Sequence, residues 1–271
     1  YKKVKKDFKH IDILINNIGH TLNKRNPFSQ IKDWEEVMRL NFFTSVEMNN
    51  HFIKDMKKKI SRSQLTKNWD ISYKKKQNFL LYPSEQLVRF FNRYISKRKS
   101  IKKSVKKIEA LDFGCGAGRH LLYLGENGVR TIGYDISKIA INLAKKLLKY
   151  KKIKNVQTTN NLKSKLFKNK KFDFIVSYGV LDSMTINDVK LSLDFIYEKL
   201  KENGLFFVEI LGHKTLRRKR VKLSKYEDLI KDNHEKNTIQ LYHNENLIKN
   251  LYKKFKIIEK IETYEIKKNY K

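Results

Sequence analysis

The chain contains very little of what disulfide-bonded, metal-binding or membrane proteins require. Cys115 is the single cysteine in 271 residues, so no intrachain disulfide can form and no cysteine cluster can bind a metal. No segment approaches the roughly 18 uninterrupted apolar residues of a membrane helix, and the lysine-rich N-terminus precedes no apolar signal core. We therefore expect a cytoplasmic protein with neither a metal site nor a membrane span.

Acidic residues are also scarce, with 28 Asp and Glu against 61 Lys and Arg, which gives a net charge of +33. Such an excess favours a polyanionic partner, because Lys and Arg release counterions from phosphate backbones. However, most of it is Lys spread along the whole chain, as an A·T-rich coding bias would also produce. The basic run at residues 217–225 is the better candidate for an anionic ligand. A nucleic-acid partner is left open.

Composition and patterning together indicate two unequal pieces. Hydrophobic residues make up 40% of the chain and aromatic residues 12%, which is enough for one full-sized core and a smaller appendage. The pattern breaks near residues 57–68, where three lysines and a polar run separate an apolar-periodic segment from a new aromatic one. We therefore expect a small piece at residues 1–60 and a domain at residues 61–271.

The first piece contains a short apolar strand at residues 11–15, the run Asn-Asn-Ile-Gly at residues 16–19, and helical spacing of apolar residues over 34–56. It resembles the middle of a short-chain dehydrogenase/reductase, whose Asn-Asn-Ala-Gly motif and catalytic Asn match residues 16–19 and Asn41. No Gly-rich phosphate loop lies upstream, and no Tyr-x-x-x-Lys pair follows Asn41 in a dehydrogenase context. Tyr1 to Lys5 has that spacing but precedes the motif, and Tyr150 to Lys154 has it but lies inside the second domain. We predict that this fragment cannot transfer hydride.

The strongest signal is an apolar strand at residues 108–113 followed by a glycine-rich turn and a helix beginning near residue 121. Glycine lets the backbone approach a ligand without a Cβ atom in the way. A second strand, residues 129–134, ends in Asp135, at the distance from the turn where a βαβ unit places a carboxylate beside a ribose diol. The pattern predicts a nucleotide-like cofactor.

Two details argue against a dinucleotide. Arg119 stands where the dinucleotide fingerprint needs its last glycine, so the close helix–strand packing of that motif is missing. Asp112, just before the first glycine, would repel a pyrophosphate but suits a cofactor that carries a cationic amino group and a sulfonium.

The run from Asp112 to Gly118 resembles the Asp/Glu-x-Gly-x-Gly-x-Gly motif of class I S-adenosylmethionine-dependent methyltransferases. The resemblance implies an α/β fold with a doubly wound, Rossmann-like, mostly parallel sheet, preceded here by the small N-terminal α/β fragment. Further strands at residues 172–177 and 204–210, with an amphipathic helix at 188–200, fit that layout. Ligands of such sheets bind outside the carboxyl ends of the strands.

The resemblance also implies an S-adenosylmethionine site assembled from residues at and after the strand ends. The residues are Asp112, Phe113, Gly114, Cys115, Gly116 and Gly118 for the methionine portion; Asp135 for the ribose; Ile136, Asn160 and Asn161 around the adenine; and Ser177, Tyr178, Gly179 and Tyr82 around the methyl group and the pocket entrance. Asn160 and Asn161 stand where the family often has an acidic residue.

Methyl transfer is an in-line displacement, which requires a nucleophile held about 3 Å from the methyl carbon and exclusion of water. A dedicated base is optional. If one is used, Asp182 and His213 are the candidates, because both follow strand ends that face the pocket.

The acceptor is less constrained than the cofactor. Methyltransferases of nucleobase amines usually carry Asn/Asp-Pro-Pro-Tyr/Phe after the fourth strand, whereas this chain has Ser177-Tyr178-Gly179-Val180 there. A small-molecule acceptor is the leading hypothesis. The alternatives are an RNA methyltransferase, a cofactor-binding protein without turnover and, least favoured, an NAD(P)-dependent reductase fragment. Little sequence remains after residues 255–261 for an antiparallel seventh strand, so an unpaired edge strand is expected.

Overall fold

The computed structural model describes residues 31–39, 61–75, 78–96, 108–215 and 218–263. The chain divides into two compact units, Tyr1–Arg62 and Ser63–Lys271. In the first unit the description covers helix α1 (Ile31–Met38). The Asn-Asn-Ile-Gly run and Asn41, which carry the dehydrogenase resemblance, lie outside the described residues.

The second unit is built on a parallel five-stranded sheet. Its strands are β1 (Glu109–Phe113), β2 (Arg130–Tyr134), β3 (Val156–Thr159), β4 (Phe172–Tyr178) and β5 (Leu200–Glu209). Their order is β3-β2-β1-β4-β5, and each neighbouring pair is parallel. The order turns back at β1, so β1 and β4 form the switch point where ligands of such sheets bind. The predicted doubly wound fold is confirmed.

Helices of the second unit precede the first strand and connect the later ones, and they cover both faces of the sheet. They are α2 (Arg62–Lys74), α3 (Glu85–Phe90), which continues as a π-helical turn (Phe91–Ser96), α4 (Arg119–Glu126), α5 (Lys138–Tyr150), α6 (Ile186–Lys199) and α7 (Glu245–Leu251). Helix α4 begins at Arg119, two residues earlier than expected. It therefore starts directly after the last glycine of the turn.

Side chains of β1 and β4 alternate between two hydrophobic cores. Leu111 and Ile175 lie in the core that includes residues of α6 and α7, whereas Ala110 and Phe174 lie in the core that includes residues of α3 and α4. This is the period of two expected for a strand. Because both faces are buried, most residues of β1 and β4 are apolar.

A second, antiparallel sheet follows β5 and was not expected from the sequence. It consists of β6 (Arg220–Lys222), β7 (Glu227–Ile230) and β8 (Ile239–Leu241), in the order β6-β7-β8. Strands of three and four residues are too short to show a recognisable period. Their position, immediately before α7, brings the end of β8 close to the segment after β5, where Gly212 pairs with His243.

Two arginines of the basic run near this small sheet are paired with carboxylates. Arg218 lies 2.7 Å from Glu235 and 3.3 Å from Asp232, and Arg220 lies 2.8 Å from the buried Asp228. Their charges are therefore compensated within the chain, which weakens the expectation of an anionic ligand at this run.

Within the described residues the five-stranded sheet ends at β5, and residues 255–263 add no strand to it. None of the described helices is long and apolar enough to cross a membrane.

Candidate active site

The loop between β1 and α4 is held in a conformation that favours glycine. Gly114, Gly116 and Gly118 all have positive φ, at 85°, 53° and 95°. The amides of Gly114 and Cys115 donate to the Tyr134 carbonyl oxygen at 2.7 and 2.9 Å. The loop is thereby fixed to the end of β2, and the first turn of α4 directly follows it.

Neighbouring side chains approach this glycine loop closely. A Cβ atom on Gly114 would lie 2.2 Å from Val180 Cγ2, and one on Gly116 would lie 2.7 Å from the Tyr73 hydroxyl oxygen. The loop therefore passes between α2 and the segment after β4, with no room for a side chain at either glycine.

Asp112 is a buried carboxyl at the end of β1. It is 1% exposed, and its Oδ2 atom has no hydrogen-bond partner among the described residues. Burial raises the pKa of Asp112 to about 7, with a further contribution from the charge of Asp135, while Arg119 opposes the shift. An unpartnered buried carboxyl of this kind is well suited to a cationic group, which would stabilise its ionised form.

Asp135 joins the glycine loop to the start of α5. Its two carboxylate oxygens accept from the Gly116 amide at 2.9 Å and the Ser137 amide at 2.8 Å. Burial raises its pKa to about 6, and these two hydrogen bonds oppose the shift. Each carboxylate oxygen can accept more than one hydrogen bond, so Asp135 retains capacity for hydroxyl donors. Ile136 follows directly and is half-buried.

Helix α2 places two further groups at this edge. The Ser137 hydroxyl, which caps α5, donates to Asp70 Oδ1 at 2.5 Å, and the Ile139 amide donates to the same oxygen at 3.3 Å. Tyr73, one helical turn further on, lies against Gly116, and burial raises the pKa of its hydroxyl well above the usual range. Asp70 was not predicted. Its spacing of three from Tyr73 on one helix face is the only sequence signal for it.

Asn160 and Asn161 are exposed and follow the end of β3. The Asn161 side chain accepts from the Lys163 amide at 2.9 Å, so it is engaged in a local turn. The Thr159 carbonyl accepts from the Asp135 amide at 3.3 Å. The two asparagines therefore lie beside Asp135, at neighbouring strand ends.

The end of β4 borders the glycine loop on the other side. Ser177 is fully buried, and no described group is hydrogen-bonded to its hydroxyl. The Arg119 guanidinium lies 4.9 Å from the centre of the Tyr178 ring. Gly179 has a φ of 63°, and its amide donates to the Glu209 carbonyl at 3.2 Å.

Glu209 and Arg119 also lie at this edge, although no role was assigned to them from the sequence. Tyr82 was predicted to lie at the pocket entrance. Glu209, at the end of β5, has its pKa raised by burial, with the Gly179 amide and Arg119 opposing the shift. The charge of Arg119 lowers the pKa of two carboxyl groups, Glu209 and Asp112, and of the Tyr178 hydroxyl. The Tyr82 side chain is 83% exposed, while its carbonyl oxygen lies 3.5 Å from Arg119 Nη1.

The two candidate bases occupy different surroundings. Asp182 lies in a 3-10 turn (Leu181–Ser183), is 3% exposed, and has its pKa raised to about 8 by burial and by the charge of Glu209. Its carboxyl is therefore largely protonated at neutral pH and able to donate a hydrogen bond. His213 is exposed after β5, and its backbone amide donates to the His243 carbonyl at 2.8 Å.

The glycine loop and the two carboxyl groups beside it suit one type of ligand. A glycine loop that excludes side chains lies between an unpartnered carboxyl, Asp112, and a carboxylate with spare acceptor capacity, Asp135. A ligand with a cationic end and a diol satisfies both, whereas a pyrophosphate would meet negative charge. The residues present fit S-adenosylmethionine.

The fold and the site define a class I S-adenosylmethionine-dependent methyltransferase. Comparison with protein families agrees: residues 82–254 match the family described as methyltransferase domain, and the chain belongs to that family. Its cofactor is S-adenosylmethionine. Residues 1–63 match the short chain dehydrogenase family, as the Asn-Asn-Ile-Gly run predicted.

Two curated proteins are similar to the chain. It is 31% identical over 172 residues to the ubiquinone biosynthesis O-methyltransferase of Pelagibacter ubique, covering 59% of this chain and 67% of that protein. It is 34% identical over 101 residues to the uncharacterized protein RP028 of Rickettsia prowazekii, covering 36% of this chain and 40% of that protein.

Solved structures are similar over parts of their length. PKMT2 from Rickettsia typhi, in complex with AdoHcy, is 30% identical with a TM-score of 0.37, covering 41% of this chain and 22% of that one. The PH0226 protein from Pyrococcus horikoshii is 16% identical with a TM-score of 0.47, covering 65% and 84% of the respective chains. The chain thus spans about a fifth of PKMT2.

Proposed function

We propose that the chain transfers a methyl group from S-adenosylmethionine to a hydroxyl oxygen of a small molecule. The observation that carries this proposal is the set of carboxyl groups, Asp182 and Glu209, at the carboxyl ends of β4 and β5. A phosphate-rich acceptor such as RNA would be repelled by the Glu209 carboxylate at this edge. The 31% sequence identity to an O-methyltransferase also supports the proposal.

The cofactor roles follow from the fit of the site. Asp112 would face the cationic methionine end, the backbone from Gly114 to Gly118 would run beneath it, and Asp135 would accept from the ribose hydroxyls. Ile136 with Asn160 and Asn161 would border the adenine, on the β3 side of Asp135. Ser177, Tyr178 and Gly179 would border the transferred methyl.

The cofactor, when bound, supplies an electrophilic methyl group. The chain's own residues then have to hold the acceptor oxygen in line with it and exclude water. Val180 contacts the glycine loop and directly precedes the turn that carries Asp182. This short connection would fix the distance between the bound cofactor and the acceptor.

An acceptor panel tests the proposed chemistry. The intact chain would be incubated with S-adenosylmethionine and, separately, catechols, aliphatic alcohols, primary amines and short RNA, and formation of S-adenosylhomocysteine and methylated product would be measured. We expect turnover with a hydroxylated compound. Turnover with RNA alone would contradict the proposal, and cofactor binding without turnover on any compound would favour a binding protein instead.

We also propose that residues 61–271 carry the activity and that residues 1–60 do not transfer hydride. The methyltransferase match lies wholly within the former segment. Residues 42–60, which follow Asn41 in the dehydrogenase-like segment, contain no tyrosine to form the Tyr-x-x-x-Lys pair that hydride transfer requires. Calorimetric titration of the intact chain with NADPH should show no binding. Binding at micromolar concentration would overturn this assignment.

Cofactor affinity is expected to depend on pH through Asp112. With a pKa of about 7 in the free protein, Asp112 must lose a proton to face a cation, so binding releases protons. The affinity should weaken by about tenfold per pH unit below pH 7 and level off above pH 8. Asp135, whose pKa is about 6, should make the dependence steeper below pH 6.

Calorimetric titration between pH 5.5 and pH 8.5 measures this dependence. Asp112→Asn should weaken binding at pH 8 and flatten the curve between pH 6.5 and pH 8, whereas Asp194→Asn, at an exposed ion pair with Lys254, should retain both. An unchanged slope in Asp112→Asn would assign the dependence to another group.

A further inference from the structure

Beyond the carboxyl ends of β4 and β5 lie three buried polar side chains that the cofactor site does not use. Asp182, His243 and Tyr252, here called the polar cluster, are 3%, 1% and 6% exposed. Asp182 Oδ1, both ring nitrogens of His243 and the Tyr252 hydroxyl have no hydrogen-bond partner in the part of the chain that the structure describes. Buried polar atoms are nearly always paired in folded proteins, so a group of them at one place indicates a ligand or ordered water.

The backbone brings these residues together from three elements. The 3-10 turn that carries Asp182 packs against β8, and His243 follows two residues after β8. The His243 amide donates to the Leu211 carbonyl at 2.9 Å, which fixes His243 beside the end of β5. The Tyr252 ring, at the end of α7, lies with its centre 6.3 Å from that of His243.

The surroundings of the cluster are apolar, and its members are neutral at pH 7. Leu181, Leu241 and Leu247 belong to the same core as Tyr252. Burial lowers the pKa of His243 to about 4 and raises that of Asp182 to about 8. Burial is the largest cause that raises the pKa of Tyr252, so its hydroxyl keeps its proton. Such a set suits an uncharged group that both donates and accepts hydrogen bonds, which describes a hydroxyl.

We propose that the polar cluster is the subsite for the acceptor hydroxyl, in which His243 accepts the hydroxyl proton and Tyr252 orients the oxygen. This inference rests on the proposed O-methyl transfer. The acceptor O–H bond breaks and its proton moves to a ring nitrogen of His243. The oxygen forms the new O–C bond to the methyl carbon while the C–S bond breaks, its electron pair remaining on sulfur. Because burial lowers the pKa of His243 to about 4, His243 holds the proton only transiently and gives it up to water as the methylated product leaves.

The position of the cluster agrees with this role. Asp182 is affected by the charge of Glu209, and Glu209 lies 3.7 Å from the position of a Cβ atom on Gly179. The cluster therefore adjoins the strand end that borders the methyl. The neutral polar groups and their apolar surroundings favour an acceptor that is largely apolar and carries an uncharged hydroxyl, such as a phenol.

The test compares His243→Gln and Tyr252→Phe with the intact chain, on a hydroxylated acceptor found by the panel. His243→Gln should lower kcat by about 100-fold, as loss of a general base does, with the Kd for S-adenosylmethionine unchanged by calorimetry. Tyr252→Phe should raise the acceptor KM by about tenfold with a smaller change in kcat. The matched controls His234→Gln and Tyr197→Phe, at exposed positions, should behave like the parent chain.

Acceptor acidity separates proton acceptance from a structural role. With an acceptor of low hydroxyl pKa, such as a nitrocatechol, the proton is already lost, so the kcat deficit of His243→Gln should shrink to within about tenfold. A deficit that is equal for acidic and ordinary hydroxyls would overturn the role of His243. Should His243→Gln fail to fold, restoration of activity in His243→Gly by added imidazole supports the role, and no restoration in a folded variant contradicts it.

The acceptor panel distinguishes failure of this inference from failure of the proposed function. If the parent chain methylates hydroxyls and His243→Gln keeps its full kcat, the subsite is wrong while O-methyl transfer stands. If the parent chain methylates amines or RNA and no hydroxyl, both are overturned.

Discussion

Replacement of Asp135 by Ala is expected to weaken S-adenosylmethionine binding by at least 100-fold. The carboxylate would lose its hydrogen bonds to the ribose hydroxyls, and hydrogen bonds to a charged group are worth about 1.5–3 kcal/mol each. The same change removes the acceptor of the Gly116 and Ser137 amides, so the glycine loop and the start of α5 lose their common anchor. Both effects act in the same direction on affinity.

Calorimetric titration with S-adenosylmethionine, accompanied by thermal unfolding, measures this effect. Asp135→Asn retains one oxygen acceptor and should weaken binding by only about tenfold. Asp194→Ala, at an exposed position, serves as the control and should bind like the parent chain. If folded Asp135→Ala binds within threefold of the parent, Asp135 does not hold the cofactor.

The cofactor half of the site could be predicted because its geometry is local. Asp112, the three glycines and Asp135 belong to one strand-turn-helix-strand unit, and the parallel pairing of β1 with β2 brings both carboxyls to the same loop. The apolar runs that form β1, β2, β4 and β5 are bounded by glycine and polar residues, which is why their positions were predicted within a few residues.

Residues that reach the site by tertiary docking could not be predicted in the same way. Asp70 meets Ser137 only because α2 packs on the start of α5, and no periodicity in residues 62–74 specifies that position. His243 becomes a neighbour of β5 through the pairing of Gly212 with His243, at the end of strands too short to recognise. His213 was the histidine singled out from the sequence, and only the fold shows that it is exposed and that His243 is buried.

Among Gly→Ala substitutions in the glycine loop, Gly114→Ala should lower the stability of the protein most. The residue has a φ of 85°, and its new Cβ atom would lie 2.2 Å from Val180 Cγ2 and 2.9 Å from Val180 Cβ. A positive φ at a residue other than glycine costs on the order of 1–3 kcal/mol, and forcing a methyl into packed surroundings costs about 1–3 kcal/mol more. We expect the free energy of unfolding to fall by about 2–6 kcal/mol.

Urea unfolding of Gly114→Ala, Val180→Ala and the double variant separates the two causes. Val180→Ala removes the two Cγ atoms, at 2.2 and 2.6 Å, and leaves the Cβ atom at 2.9 Å. The double variant should therefore recover most of the steric part of the loss and keep the part due to φ, with a coupling of at least about 1 kcal/mol. Gly212→Ala is the control, because a Cβ atom there meets nothing within 4 Å, and it should change the free energy of unfolding by less than about 0.5 kcal/mol.

The same substitution should also abolish methyl transfer in protein that remains folded, because Val180 precedes the turn that carries Asp182. Displacement of Val180 would move the acceptor side relative to the cofactor side, and a misplacement of about 1 Å can cost about 100-fold in rate. Activity of the double variant should therefore return more fully than its stability. Full activity in Gly114→Ala would show that the approach of Val180 to the glycine loop does not set the position of the acceptor.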